Sequence, residues 1–166
     1  MITLGVDPGT QVTGYGLVTG DPRKQKLIGF GAIRATAKAP LADRLAQIFE
    51  GIRQVIESAK PDHLALEEAF FAKNAQNALK LGMVRGVIIL AARRAGVEVH
   101  EYSPLLIKQT VTGYGRAEKE QVREMVRRLL SMKDAPEPLD ASDALATAIT
   151  HIVHHGSAIR GAGVAR

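Results

Sequence analysis

The hydrophobic period of this chain changes once, between Ala35 and Leu41, and that change restricts the fold more than any single residue does. Before it, three short apolar stretches are separated by turn formers. Met1–Val6 stops at Asp7-Pro8-Gly9, Val12–Val18 runs into Gly20-Asp21-Pro22, and Leu27–Ala35 follows. Three glycine-containing strands joined by short turns predict an antiparallel meander. After the change, Leu41, Leu45, Ile48, Phe49, Ile52, Val55 and Ile56 recur every three or four residues, which is one apolar face of a helix. From there strands and helices alternate. His63–Phe71 reads as a strand with a buried Leu64-Ala65-Leu66 centre, Asn74–Ala95 as a long helix and Val97–Tyr102 as another strand. Ser103-Pro104 is a helix start, with Ser as cap and Pro at the first position. Residues 111–115 read as a loop, and Ala117–Met132 and Asp140–His155 as two more helices, separated by the two-proline linker Asp134–Pro138. This order predicts an α/β fold: a mixed central sheet of three antiparallel strands plus parallel strands, flanked by helices. Residues 1–155 form one expected domain, and 156–166 an expected flexible tail.

Composition excludes several classes of function. The 166 residues contain no cysteine, so disulfide scaffolds, thiol nucleophiles and Cys-ligated metal centres are ruled out. Aromatic residues make up 4%, too few for a platform of many stacked bases. No uninterrupted apolar run reaches the ~18 residues of a membrane span. The N-terminus lacks the pattern of a signal peptide, so a cytoplasmic location is expected. Charge is uneven. Residues 1–70 hold 8 basic and 8 acidic side chains, residues 71–133 hold 12 and 5, and the remainder 2 and 4. The overall +5 is therefore a +7 central region beside a neutral and an acidic one, which points to a polyanionic partner.

Four acids stand out by position. Asp7 and Glu67 lie at the C-terminal ends of expected strands, where sites collect in α/β sheets. Asp140 and Asp143, three apart on an expected helix, share a face. If the four meet, they repel one another unless cations sit between them, and magnesium or manganese suits such an oxygen donor set. Two such ions can activate water and stabilise a leaving oxygen in phosphodiester hydrolysis. The competing reading makes Asp7 a turn residue, Asp140 a helix cap and Asp143 a helix-dipole partner. Periodicity does not choose between the adjacent Glu67 and Glu68, because the strand before them is apolar on both faces.

Longer patterns narrow this. Asp7-Pro8-Gly9-Thr10 with Val12-Thr13-Gly14-Tyr15-Gly16, then Glu67 followed by Phe70-Phe71-Ala72-Lys73-Asn74, closely resembles the RuvC family of Holliday junction resolvases. So do Leu79-Lys80-Leu81-Gly82, Val84-Arg85-Gly86-Val87, Lys108-Gln109-Thr110-Val111, Ala117-Glu118-Lys119 and the stretch from Asp140 to His151. The resemblance implies a ribonuclease-H-like fold, a homodimer, and cleavage of four-way DNA junctions in recombination and repair. It implies two Mg²⁺ per site, or Mn²⁺, held by Asp7, Glu67, Asp140 and Asp143, and products bearing 5′ phosphate and 3′ hydroxyl. It selects Glu67 over Glu68. It places Lys119 among the catalytic residues, and Lys108, Lys119, Phe70, Phe71, Lys73 and Asn74 against DNA. It also implies a branch-migration complex of the RuvA and RuvB type as partner.

Other features have plainer readings. Leu79, Met83, Val87 and Leu90 form one stripe of a helix apolar nearly all round, which is buried in a core or, as the resemblance implies, in the dimer contact. Gly9, Gly14 and Gly16 lack the ending of a phosphate-binding loop, and strand and turn geometry accounts for them. His151, His154 and His155 share helical faces at metal-ligand spacing, but without a His-Glu-x-x-His pattern they read as helix-end histidines. Arg123, Arg127 and Arg128 follow Glu120 and Glu124 at pairing distances. Three alternatives compete with a junction nuclease. One is an ATP-binding module of the actin and sugar-kinase type, which uses two such halves. The others are a non-catalytic junction binder and a related short nuclease acting on ribosomal RNA precursors.

Overall fold

The computed structural model describes the backbone of residues 1–68 and 75–163 and the side chains as far as His155. Five strands form one mixed sheet: β1 (Ile2–Asp7), β2 (Val12–Asp21), β3 (Lys24–Arg34), β4 (His63–Glu67) and β5 (Glu98–Tyr102), in the order β3-β2-β1-β4-β5. The β1–β2 and β2–β3 pairs are antiparallel, and β1–β4 and β4–β5 are parallel. The expected meander and the alternating half meet at β1, which sits in the middle.

Strand alternation splits the sheet into two faces. Leu4 and Val6 of β1, Leu17 of β2, and Leu64 and Leu66 of β4 pack into one core with α1 (Leu41–Ala59) and α2 (Ala75–Arg94). Helix α1 is amphipathic and turns Ile48, Ile52 and Ile56 inward, as its spacing predicts. The opposite face is covered by α3 (Pro104–Thr112), α4 (Lys119–Leu129) and α5 (Leu139–Gly163), whose Leu145, Ile149 and Ile152 centre a second core. The Ser103 hydroxyl caps α3 by accepting from the Leu106 amide at 3.3 Å. Glu118 and Gln121 close a capping box on α4.

A row of glycines seats α5 on the sheet. Gly5 and Gly16 are register partners on β1 and β2, and Gly14 is opposite Asp7. A Cβ at Gly5 would strike the Ala144 carbonyl, one at Gly14 the Asp140 carbonyl, and one at Gly16 the Leu145 side chain at 2.6 Å. With Ala141, Ala144 and Ala148 buried on the helix side, backbone meets backbone closely. This close approach brings the first turn of α5 over the end of β1.

Three details differ from the sequence reading. Helix α2 turns Val84, Ile88, Ala91 and Ala92 to the core, whereas Leu79, Met83 and Leu90 of the expected stripe are 62%, 42% and 51% exposed. An all-round apolar helix has no unique stripe, and the true core stripe lies one residue along. This helix is also long and apolar enough by composition to cross a membrane, but the stripe buried against the sheet identifies a core helix of the fold. Finally, α5 does not end at His155. Its helical backbone continues to Gly163, so most of the expected tail is helix.

Candidate active site

The four acids converge at the C-terminal ends of β1 and β4. Leu66 pairs with Val6 in the parallel register, so Glu67 and Asp7 are the next residues on neighbouring strands, about 4.8 Å apart across the ladder. Glu67 lies on the same face as Ala65 and His63, toward α5, because Leu64 and Leu66 face the other core. Glu68 is exposed, and its backbone amide donates to the Tyr102 carbonyl at 2.8 Å. The choice that periodicity left open thus falls on Glu67. Asp140 stands in the first turn of α5, and Asp143 one turn further on.

Electrostatics shows how closely they meet. Burial, reinforced by the charges of Asp143, Glu67 and Asp140, pushes the Asp7 carboxyl up to about 8, with Lys119 opposing the shift. Burial and Asp143 also push Glu67 up, against the pull of Lys119, Lys108 and Arg85. A cluster of mutually repelling carboxylates on a half-buried floor is a donor set suited to a hard divalent cation. Asp7, Glu67, Asp140 and Asp143 therefore fit magnesium or manganese by chemistry.

Two lysines border the acids. The Lys119 ammonium donates to Asp143 Oδ2 at 3.0 Å, and that contact raises its own pKa. It comes from the first residue of α4 and is 68% exposed, while Asp143 is 21% exposed. Lys108 of α3 lines the same cleft, together with Glu67, Lys119 and Asp143. Phe70, Phe71, Lys73 and Asn74 lie outside the described residues.

Arg85, in the Val84-Arg85-Gly86-Val87 motif, takes a role that the sequence alone does not assign. It is 8% exposed on the core side of α2, and its guanidinium donates to the Glu67 carbonyl and, at 2.5 Å, to Glu101. It ties the end of β4 to β5 directly behind the acids. The available signal was a charged residue next to Val84 on a stripe that continues through Ile88. By contrast, Arg123, Arg127 and Arg128 pair with Glu120, Glu137 and Glu124 and cover the outer face of α4.

Comparison with known proteins agrees with this geometry. The family model described as "Crossover junction endodeoxyribonuclease RuvC" matches residues 3–151. The RuvC of Heliobacterium modesticaldum is 48% identical over 162 residues, covering 96% of this chain and 100% of the relative. The RuvC of Chloroflexus aurantiacus is 48% identical over 151 residues, covering 91% and 92%. Among solved structures, T. thermophilus RuvC in complex with a Holliday junction substrate superposes with a TM-score of 0.90 at 34% identity, covering 95% of this chain and 96% of that one. The yeast mitochondrial Holliday junction resolvase, at 12% identity and a TM-score of 0.65, shares the fold. By its motifs, its sheet topology and these matches, the chain belongs to the RuvC family of crossover junction endodeoxyribonucleases.

Proposed function

We propose that this protein resolves four-way DNA junctions by paired, metal-dependent hydrolysis of phosphodiester bonds, acting as a homodimer with one acid cluster per subunit. The observation that carries this reading is the meeting of Asp7, Glu67, Asp140 and Asp143 at one end of the sheet in a RuvC-family chain. The four carboxylates would hold two magnesium ions, with manganese as the alternative. When bound, the ions supply Lewis-acid charge against the scissile phosphate and a water nucleophilic at neutral pH.

The chain's own groups do the rest. Asp7 feels the charge of all three other acids, and the glycine seat under α5 fixes Asp140 and Asp143 relative to it. Arg85 is a positioning residue, since it holds the backbone at Glu67. Lys119, kept near the site by Asp143, neutralises charge that develops on the phosphate. Lys108, across the cleft, contacts the same strand. The products carry 5′ phosphate and 3′ hydroxyl, leaving nicks that a ligase can seal.

One acid cluster makes one cut, so two symmetric cuts call for a twofold dimer matching a pseudo-twofold junction. The exposed apolar side of α2, with Leu79, Met83 and Leu90, supplies the dimer contact. The basic central region holds the DNA, with Phe70 stacking on bases near the junction centre and Phe71, Lys73 and Asn74 in the same segment. A branch-migration complex of the RuvA and RuvB type delivers the junction.

Single Asp7→Asn, Glu67→Gln, Asp140→Asn and Asp143→Asn variants test the site. Each is expected to lose cleavage by ~100-fold or more while still binding the junction, because binding rests on the basic surface. Cleavage at the wild-type rate by any of these variants would remove that residue from the site.

A further inference from the structure

The chain has five histidines, and four of them meet far from the acids. His63 opens β4, His100 lies in β5, and His151 and His155 are one turn apart on α5. In the parallel register His63 is opposite Glu98 and His100 opposite Ala65, so both imidazoles rise from the sheet face that α5 covers. One ring nitrogen from each of the four lies within 4.8 Å of the others. His63 and Glu67 stand at opposite ends of β4, about 13 Å apart along the strand. The fifth histidine, His154, points elsewhere and shares a hydrogen bond with the Thr110 hydroxyl at 2.9 Å.

We propose that His63, His100, His151 and His155 bind one divalent transition-metal ion of the zinc class, as a structural site that clamps the later turns of α5 to β4 and β5. The proposal does not rest on the nuclease reading. Four imidazoles with no carboxylate in the first set suit zinc, cobalt, nickel or copper and not magnesium. Four protein ligands leave no open position, which is the pattern of a structural site. Tetrahedral zinc with Zn–N of about 2.0–2.1 Å sets its nitrogens roughly 3.4 Å apart. The 2.7 Å contact between His63 Nδ1 and His151 Nε2 must open slightly, and the wider pairs must close by up to about 1.4 Å, which ring rotation and small side-chain shifts supply.

Three further observations support the assignment. His100 Nε2 is buried without a hydrogen-bond partner, and the nearest carboxylate oxygen, of Glu98, is 3.6 Å away. A buried ring nitrogen without a partner is costly, and a metal ion would satisfy it. The fully buried His151 shares its other nitrogen, Nδ1, with the Tyr102 hydroxyl at 2.8 Å, the outer-shell contact that orients a metal-binding imidazole. Burial also pushes His63, His100 and His151 down, which favours the neutral ring that a metal requires.

The test is titration of the purified full-length protein, stripped of metal, with Co²⁺ in excess Mg²⁺ so that the carboxylates are occupied. The proposal expects one equivalent of Co²⁺ with the visible spectrum of a tetrahedral nitrogen site, displaced by Zn²⁺, and a Zn²⁺-dependent rise in melting temperature. His155→Ala and His100→Gln, both partly exposed and outside the acid cluster, should each weaken binding by more than the ~10–100-fold cost of losing an outer-shell partner. Both should leave Mg²⁺-dependent junction cleavage unchanged. Failure of the wild-type protein to take up Co²⁺ would overturn the proposal. So would uptake that both variants retain, or uptake that Asp7→Asn abolishes.

Discussion

Replacing Asp7 by Asn should stabilise the metal-free protein while destroying its activity. The Asp7 carboxyl has an ordinary value of 3.8 and is raised to about 8 by burial and by Asp143, Glu67 and Asp140. A group whose folded pKa is raised favours folding fully below its unfolded pKa, and that contribution is lost as pH climbs through the folded pKa. For Asp7 the window runs from about pH 4 to about pH 8. Each unit inside it costs about 1.4 kcal/mol, because the folded state must hold a proton that the unfolded carboxyl releases, so by pH 7 the wild type loses up to ~4 kcal/mol, a ceiling that relaxation of the site lowers. Asparagine keeps the shape and removes the charge. At ~2–4 °C per kcal/mol for a chain of this size, Asp7→Asn in EDTA should melt up to roughly 8–16 °C above wild type at pH 7. The gap should shrink toward zero as pH falls through about 4, where the carboxyl becomes protonated in the unfolded state as well as in the folded one. Mg²⁺ should then raise the wild-type melting temperature more than the variant's, because a cation offsets the same repulsion. Thermal melts at pH 4, 5.5, 7 and 8, with EDTA or Mg²⁺, measure all of this. A variant no more stable than wild type in EDTA at pH 8, or a gap independent of pH, would refute the reasoning.

Three other perturbations probe different links. Lys119→Ala removes the ammonium that donates to Asp143, and single-turnover junction cleavage should fall by ~100- to 1000-fold with binding little changed. Gly14→Ala drives a Cβ into the Asp140 backbone, so chemical denaturation should show a loss of about 1–3 kcal/mol, with cleavage reduced as Asp140 shifts. Leu79→Glu places a charge on the exposed side of α2, and light scattering should then report a monomer whose melting temperature stays close to that of the fold itself. A dimer that survives Leu79→Glu unchanged would move the subunit contact off this helix.

The positions of the acids were legible because each is tied to local pattern. Asp7 follows an apolar run and precedes Pro-Gly, and Asp140 and Asp143 share a helix face by spacing alone. Their meeting was not legible from spacing. It depends on Gly5, Gly14 and Gly16 lying on one face of two paired strands, a fact of register rather than of any one segment. The strand at Leu64-Ala65-Leu66 is apolar on both sides, so only the packed sheet separates Glu67 from Glu68. Helix α2 is ambiguous for a related reason. With apolar residues around most of its circumference, its pattern does not say which stripe meets the sheet, and Leu79, Met83 and Leu90 are left exposed on the other side. The histidine cluster joins residues 63, 100, 151 and 155 from three elements, and the spacing of the α5 histidines carries only half of it.

The most direct test of the central claim is cleavage of a synthetic four-way junction by the purified wild-type protein, beside a linear duplex of the same sequence, with Mg²⁺ or with EDTA. The account predicts two symmetric nicks in the junction with Mg²⁺, ends that a ligase reseals, and neither cleavage in EDTA nor comparable cutting of the duplex. A junction left intact with Mg²⁺ and with Mn²⁺, or a duplex cut equally well, would contradict it.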